Sequence, residues 1–323
     1  MTVLVTGGTG VVGRQLVARL LEDDRSVRVL ARSDEAAAII TGLGAEPVAG
    51  DVRDRTSVEA AVRDCEIVYH AAGKVQFCPR DPTEMFAVNV EGTRTVVAAA
   101  RQAGVRRLIH TSSTVTLGEQ RGSTGSESTE HRGRFLTRYE ESKVIAERIA
   151  FAESGSVEVV AVNPASVQGP GRSTGTGRIL LDAVNGELPV MVDTTFSIVD
   201  VADCAEGHVL AERHGVPGQR YVLSGFTIGV RQALAMLGEL TDQAPRVRVL
   251  PAWLVAPFGP LADLVGRFID SVPVCAESLR QMRAGARYDG SRASRDLGLT
   301  YHSPQETFNR ILEWFRSEGL TER

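Results

Sequence analysis

The chain has 323 residues, 43% of them apolar and 24% charged, with a formal net charge of -4. That length buries a sizeable core and suggests about two domains, while charges of both signs offer no basic field for a nucleic acid backbone. Four cysteines, Cys65, Cys78, Cys204 and Cys275, make neither a CxxC pair nor a disulfide framework, so they read as buried thiols of a cytoplasmic protein.

An apolar run, Val3 to Val5, opens the chain and leads directly into TGGTGVVG, Thr6 to Gly13, followed by helical spacing at Leu16, Val17 and Leu20. No basic n-region or cleavage site precedes the run, so no secretion signal is expected. Glycine costs about 1 kcal/mol relative to alanine inside regular structure, and Gly7, Gly10 and Gly13 therefore need a compensating use. Bare backbone approaching a pyrophosphate, at the positive end of the following helix, supplies one. An ordinary tight turn is the alternative.

Further short apolar runs follow: VRVLA (27–31), EPVAG (46–50), EIVYHAA (66–72), RLIHTSS (107–113) and VEVVAVN (157–163). Strands apolar on both faces, alternating with helical segments, predict an α/β fold with a doubly wound parallel sheet of the Rossmann type. The polar segment 119–134 lacks an apolar period and is expected to be a mobile surface loop. Beyond Asn163 the rhythm breaks into QGPGRSTGTG (168–177), then a helix predicted from Arg178 to Asn185, then a strand and helix (196–213) expected to return to the sheet domain. Helices predominate from Phe226, giving a smaller, mainly helical C-terminal substrate lobe. The expected division is 1–163 plus about 196–224 for the sheet domain, and 164–195 plus about 225–323 for the lobe. The most apolar stretch, Ala252 to Ile269, is interrupted by Pro257, Pro260 and Asp263 and reads as a helix under the substrate pocket, with no integral membrane segment expected.

Ligands of such folds sit where the strands run out. Arg32 follows the second strand, about 20 residues past the glycines, where an acidic residue would hold a ribose 2'-hydroxyl. A cation there suits a 2'-phosphate, predicting NADP(H) preferred over NAD(H) by roughly tenfold to hundredfold; a solvated surface arginine is the alternative. Asp51 closes the third strand and either accepts a bond from an adenine amino group or caps a turn. In Tyr139-Glu-Glu-Ser-Lys143, an i, i+4 spacing puts phenol and amine on one helix face. An ammonium about 4 Å from a phenolate stabilises it by about 4 kcal/mol at an effective dielectric of about 20, before desolvation opposes it. Ser113, ending the fifth strand, can hydrogen-bond a substrate carbonyl or simply occupy a turn. Asn89, polar within an apolar helix, can orient the lysine through water or bond its own helix. His70 and His110 read as satisfied core histidines, Asp200 and Asp203 as caps, and no metal site is expected.

With TGxxGxxG, HAAG, Asn89, Ser113 and YxxxK in this order, the chain resembles the extended short-chain dehydrogenase/reductase family, most of all its dihydroflavonol 4-reductase-like branch. The run 176–194 is also similar to proteins labelled hopanoid-associated sugar epimerases. The resemblance implies that Thr6, Gly7, Thr9, Gly10, Val11, Val12, Gly13, Asp51, Val52, Ala71, Ala72, Gly73, Thr111, Lys143, Pro164 and Val167 line the cofactor. It further implies Ser113, Tyr139, Lys143 and Asn89 as the catalytic set, a small-molecule carbonyl or alcohol substrate, and a homodimer through 85–103 and 139–151. Gly118, five positions after the serine, replaces the polar residue of plant flavonoid reductases and disfavours a flavonoid. Thr114 and Val115 stand where dehydratases carry an acid. Arg172, Arg178 and Arg292 are candidates to clamp a diphosphate. The leading expectation is an NADPH-dependent carbonyl reductase. Alternatives are an NAD-dependent nucleotide-sugar epimerase and a non-catalytic NADP-sensing regulator.

Overall fold

The computed structural model describes residues 1–255 and 275–321. Strand β1 (Thr2–Thr6) shows why its sequence is apolar on both sides. Val3 and Val5 enter one core cluster with Leu16, Val17 and Leu20 of the Val11–Glu22 helix. Leu4 enters a second cluster on the opposite face, with Val68, Leu108, Val96 and Val97. Alternate side chains of a strand point to opposite faces, so both faces must be covered by helices.

The remaining strands are β2 (Ser26–Ala31), β3 (Glu46–Ala49), β4 (Ile67–His70), β5 (Arg107–Thr111), β6 (Glu158–Pro164), β7 (Ser166–Gln168), β8 (Val190–Asp193), β9 (Thr195–Asp200), β10 (Arg220–Leu223), β11 (Phe226–Gly229) and β12 (Arg248–Pro251). Seven of them form one sheet in the order β10-β6-β5-β4-β1-β2-β3, with every neighbouring pair parallel. The fold is the expected doubly wound α/β type. Strand order reverses between β1 and β4, where Thr6 is paired with His70. A crevice opens at the carboxyl ends of the strands beside such a reversal.

Two small sheets, β11-β9-β7 and β12-β8, accompany the later helices. A third core cluster joins Leu181 and Val184, Ile228, Leu237, Phe308 and Phe315. The large sheet hands over to the small one across Ala165, because β6 ends at Pro164 and β7 begins at Ser166. The strand at 195–200 belongs to the small sheet, where it pairs with β7 and β11. Only the helix after it, Val201–His214, rejoins the large sheet, through Cys204, Ala205 and Val209. The helix expected from Arg178 starts at Thr176.

Three expectations are corrected. First, Cys78 and Cys275 form a disulfide, their Cα atoms 5.9 Å apart across 197 residues of sequence. Only Cys65 and Cys204 are free buried thiols. The pairing joins the loop after β4 to the start of the Ala276–Ala284 helix, a proximity that arises only when the chain folds back over the sheet. Second, segment 119–134 is anchored rather than loose. The Glu127 carboxylate accepts the Val222 amide at 2.8 Å, its carbonyl accepts from Arg220 at 3.0 Å, and Gly125 exchanges backbone hydrogen bonds with Arg287 and Asp289. Third, in the stretch expected to lie as a helix under the substrate pocket, Trp253 is 72% exposed, so neither pocket lining nor ordinary packing covers it. The rest of the stretch from Ala252 to Ile269, beyond Val255 and including Phe258, lies outside the described residues. No described helix is long and apolar enough to cross a membrane.

Candidate functional site

The loop after β1 is packed too tightly for side chains. At Gly7 φ is 75°, and an added Cβ would lie 2.6 Å from the Ala72 nitrogen; at Gly13 it would lie 2.1 Å from the Gly7 carbonyl oxygen. The Val11–Glu22 helix is thereby pressed against the strand end. Its N-cap, Gly10, offers no side-chain cap, and its first turn carries no acid. The first amide N–H groups, from Val11, Val12 and Gly13, are left for an external anion. Thr6, fully buried, meets His70 Nδ1 through its hydroxyl at 2.8 Å and accepts the Ala72 amide at 3.3 Å, which fixes the Ala71-Ala72-Gly73 turn beside the glycines. The Thr9 carbonyl accepts from Arg14 at 2.9 Å.

Arg32 emerges exposed from the end of β2, with no hydrogen-bond or ion-pair partner among the described residues. Asp51 is engaged by Arg53, at 2.9 Å through the backbone amide and at 3.0 and 2.7 Å through the guanidinium. That hydrogen bond, aided by the charge of Arg32, holds the Asp51 carboxyl below its usual range. Val52 is buried against Gly92, where an added Cβ would approach its Cγ2 to 2.8 Å.

The Arg138–Ala152 helix is capped by Thr137, whose hydroxyl accepts the Glu140 amide at 3.0 Å. It carries Tyr139 and Lys143, both largely buried, at the carboxyl end of β5. Ser113 caps the short 3-10 turn Thr114–Leu117 through its own side chain and also stands beside the Tyr139 phenol. Burial pushes that phenol up, while the Ser113 hydroxyl and the charge of Arg172 pull it back. The spacing puts Lys143 on the helix face of Tyr139. Lys143 Nζ donates to the Thr111 carbonyl at 2.7 Å. Burial brings the ammonium down to about 8, opposed by the charge of Glu147.

Asn89 sits in a wide π-helical turn, Ala87–Glu91. Its Oδ1 accepts the Lys74 amide at 2.7 Å, and its Nδ2 donates to the Lys74 carbonyl at 3.0 Å and the Ser142 hydroxyl at 2.9 Å. The side chain ties the loop after β4 to the helix of Tyr139. A Cβ added to Gly73 would lie 3.5 Å from Asn89 Oδ1 and 3.9 Å from Lys143 Nζ, so the three residues converge. Pro164, at the end of β6, is buried, and Val167 and Val12 each pack against the first core cluster. Among the described residues no His, Cys, Asp and Glu cluster could hold a metal.

A family model, the NAD dependent epimerase/dehydratase family, matches residues 3–224, the span that carries the glycine loop, Ser113, Tyr139 and Lys143. The chain belongs to this family. Within this epimerase/dehydratase family it is an extended short-chain dehydrogenase/reductase, similar to Sterol demethylase protein B of Methylococcus capsulatus at 36% identity, covering 99% of this chain and 100% of that one. It is 33% identical to the 4-hydroxy-2-methyl-3-oxo-4-farnesyl-3,4-dihydroquinoline-1-oxide ketoreductase of Stigmatella aurantiaca, over 99% of this chain and 97% of the relative. The crystal structure of gox2253 superposes with a TM-score of 0.87 at 30% identity, covering 99% of each chain. MoeE5 in complex with UDP-glucuronic acid and NAD shares the fold, with a TM-score of 0.78 at 22% identity over 98% of this chain and 100% of that one.

Several residues of this epimerase/dehydratase-family site escape a reading of the sequence. Glu147 is buried behind Lys143, where it accepts from Asn163 at 2.7 Å, Thr116 at 3.2 Å and Arg220 at 3.2 Å. Its i+4 spacing from Lys143 is the one signal that pointed to it. The Thr111 hydroxyl is held at 2.8 Å from His208 Nε2. His70 is satisfied, between Thr6 and Thr93, whereas neither ring nitrogen of His110 has a hydrogen-bond partner. Asp200 caps its helix, but Asp203 does not: it accepts the His302 amide at 2.8 Å. Of the three candidate arginines, Arg178 pairs with Asp182 and Glu187 and Arg292 with Asp296. Arg172 alone of these three has no such partner, and its Nε is buried without a hydrogen bond.

Proposed function

We propose that the protein is an NADP(H)-dependent carbonyl reductase, equally able to run as an alcohol dehydrogenase. The observation that carries this reading is the placing of Tyr139 beside Ser113 at the carboxyl end of β5, next to the β1/β4 reversal. A dinucleotide fits the residues present. The uncapped helix start at Gly10 to Gly13 would hold its pyrophosphate, the Ala71 to Gly73 turn and Val167 would flank it, and unpartnered Arg32 would meet a 2'-phosphate. When bound, the nicotinamide supplies or accepts the hydride.

The chain's own groups manage the oxygen. Ser113 donates to the substrate carbonyl oxygen and polarises it, and Tyr139 gives that oxygen its proton. Arg172 and Ser113 ease the phenol's loss of charge neutrality, since both oppose the effect of burial. Lys143, hydrogen-bonded to Thr111 and backed by Glu147, stands where it can pass a proton toward the phenol through water, and Asn89 fixes the turn over it. The expected division into a sheet domain (1–163 plus about 196–224) and a substrate lobe (164–195 plus about 225–323) goes with this reading, as does a homodimer through the 85–103 and 139–151 segments.

An NAD-dependent nucleotide-sugar epimerase is the second reading, favoured by the family model and by structures such as MoeE5. Arg32 and the ion-paired state of Arg178 and Arg292 weigh against it. The test is NADPH and NADH oxidation with ketones, aldehydes and nucleotide sugars, beside Tyr139→Phe. Turnover unchanged in Tyr139→Phe, or equal use of both cofactors, would overturn the respective assignment.

A further inference from the structure

An arginine that is half-buried and unpaired needs a reason, because desolvating a cation is costly unless an anion meets it. Arg172 lies in the stretch 168–177, and the local glycines make its place. A Cβ added at Gly177 would fall 2.7 Å from Arg172 Cγ, and one at Gly175 would fall 3.2 Å from its Nη2. The loop wraps the side chain and leaves its Nε buried without a hydrogen bond. Burial lowers the guanidinium pKa, and the arginine and Tyr139 are within range to feel each other's charge.

Thr176, next to Gly175, is also the rim of a cavity of ≈ 60 Å³. That is about four times the space one water needs. Its walls are apolar, among them Ile179, Leu180, Met191, Phe196, Leu234 and Phe308. Its polar lining residues, Ser166, Gln168 and Thr176, bond one another: Gln168 Nε2 meets the Ser166 hydroxyl at 3.1 Å and also Thr176, while its Oε1, in a side chain 2% exposed, has no partner. The segment Gly175-Thr176-Gly177 therefore touches Arg172 through its two glycines and lines the apolar chamber through Thr176, while Arg172 is within electrostatic range of Tyr139.

We propose that Arg172 and this cavity form the substrate's recognition site, taking an amphiphilic carboxylate: an apolar chain in the chamber and a carboxylate on Arg172, next to the carbonyl carbon. The substrate class is thus an oxo acid or the corresponding hydroxy acid, which rests on the carbonyl-reductase reading above. A diphosphate fits less well, because it brings two or more charges to one arginine and has no use for the apolar chamber. A neutral ketone leaves the guanidinium unmet.

Binding and turnover separate the possibilities. Octanoate, octanamide and UDP are titrated calorimetrically into the NADP-loaded wild type, Arg172→Gln, Arg172→Lys and Arg178→Gln, with NADP binding as the check on folding. Turnover of 3-oxooctanoate is compared with that of its ethyl ester. We expect octanoate to bind about tenfold or more tighter than octanamide in the wild type and Arg178→Gln, with that margin lost in Arg172→Gln and partly kept in Arg172→Lys. In Arg172→Gln the kcat/KM for 3-oxooctanoate should fall about tenfold or more further than that for the ester, whose own loss measures the arginine's effect on Tyr139. Equal binding of acid and amide, equal losses on acid and ester, or UDP binding that is tighter than octanoate and depends on Arg172 overturns the proposal. A carboxylate margin that depends on Arg172, with no carbonyl compound consuming NADPH, supports the subsite and sinks the reductase reading instead.

Discussion

Lys143 Nζ lies 2.7 Å from the carbonyl oxygen of Thr111, so the amine that shares a helix face with Tyr139 is also anchored to the backbone of β5. The lysine is buried, and its ammonium is brought down to about 8. An amine with a lowered folded pKa binds fewer protons folded than unfolded between the two values, so stability rises with pH across that window. The charged form costs stability below pH about 8, and the penalty, on the order of 3 kcal/mol, is relieved as pH climbs toward about 10.4. Activity that needs the ammonium should move the other way, with kcat/KM falling above pH about 8. Urea midpoints and rates at pH 7 and pH 9.5 check both, and Lys143→Met should flatten the stability difference.

Glu147 opposes that lowering. In Glu147→Gln the inflection of the pH–rate profile should shift downward, since the neutral amide keeps the shape and removes the charge. Glu147→Leu should destabilise by about 3 to 5 kcal/mol, because it strands Arg220 and Asn163 around a buried gap. An unmoved inflection in Glu147→Gln would show that the rate reports another group.

Arg32 makes no hydrogen bond or ion pair among the described residues, so Arg32→Ala should change stability by less than about 0.5 kcal/mol. NADPH affinity is expected to drop by about tenfold to hundredfold, with NADH affinity nearly unchanged. Fluorescence titration of both cofactors measures the difference directly.

The Cys78–Cys275 bond leaves two thiols in the denatured, unreduced chain and four after reduction, which alkylation and mass spectrometry will count. Cys78→Ser should lower stability by about 2 to 4 kcal/mol. Four thiols without reductant would contradict the bond.

The large sheet and the crevice were legible because most of β1 through β6 are short apolar runs recurring at the spacing of a strand–helix alternation. The glycine spacing, Ser113, Tyr139 and Lys143 were legible for the same reason: each stands at a strand end or at a fixed helical interval. What the pattern concealed depends on contacts between distant segments. Spacing puts Lys143 beside Tyr139 but says nothing of the Thr111 carbonyl that captures it. Three arginines look alike in sequence, and only their partners, Asp182 and Glu187 for Arg178 and Asp296 for Arg292, set Arg172 apart. The polar run 119–134 looks unstructured because its anchors, Arg220, Val222 and Arg287, are far along the chain.

The bond between Cys78 and Cys275 turns most of the polypeptide into a covalent ring that includes Ser113, Tyr139 and Arg172. A protease that cuts once anywhere within the ring opens it without releasing a fragment. The nicked molecule therefore keeps its full mass until a reductant divides it.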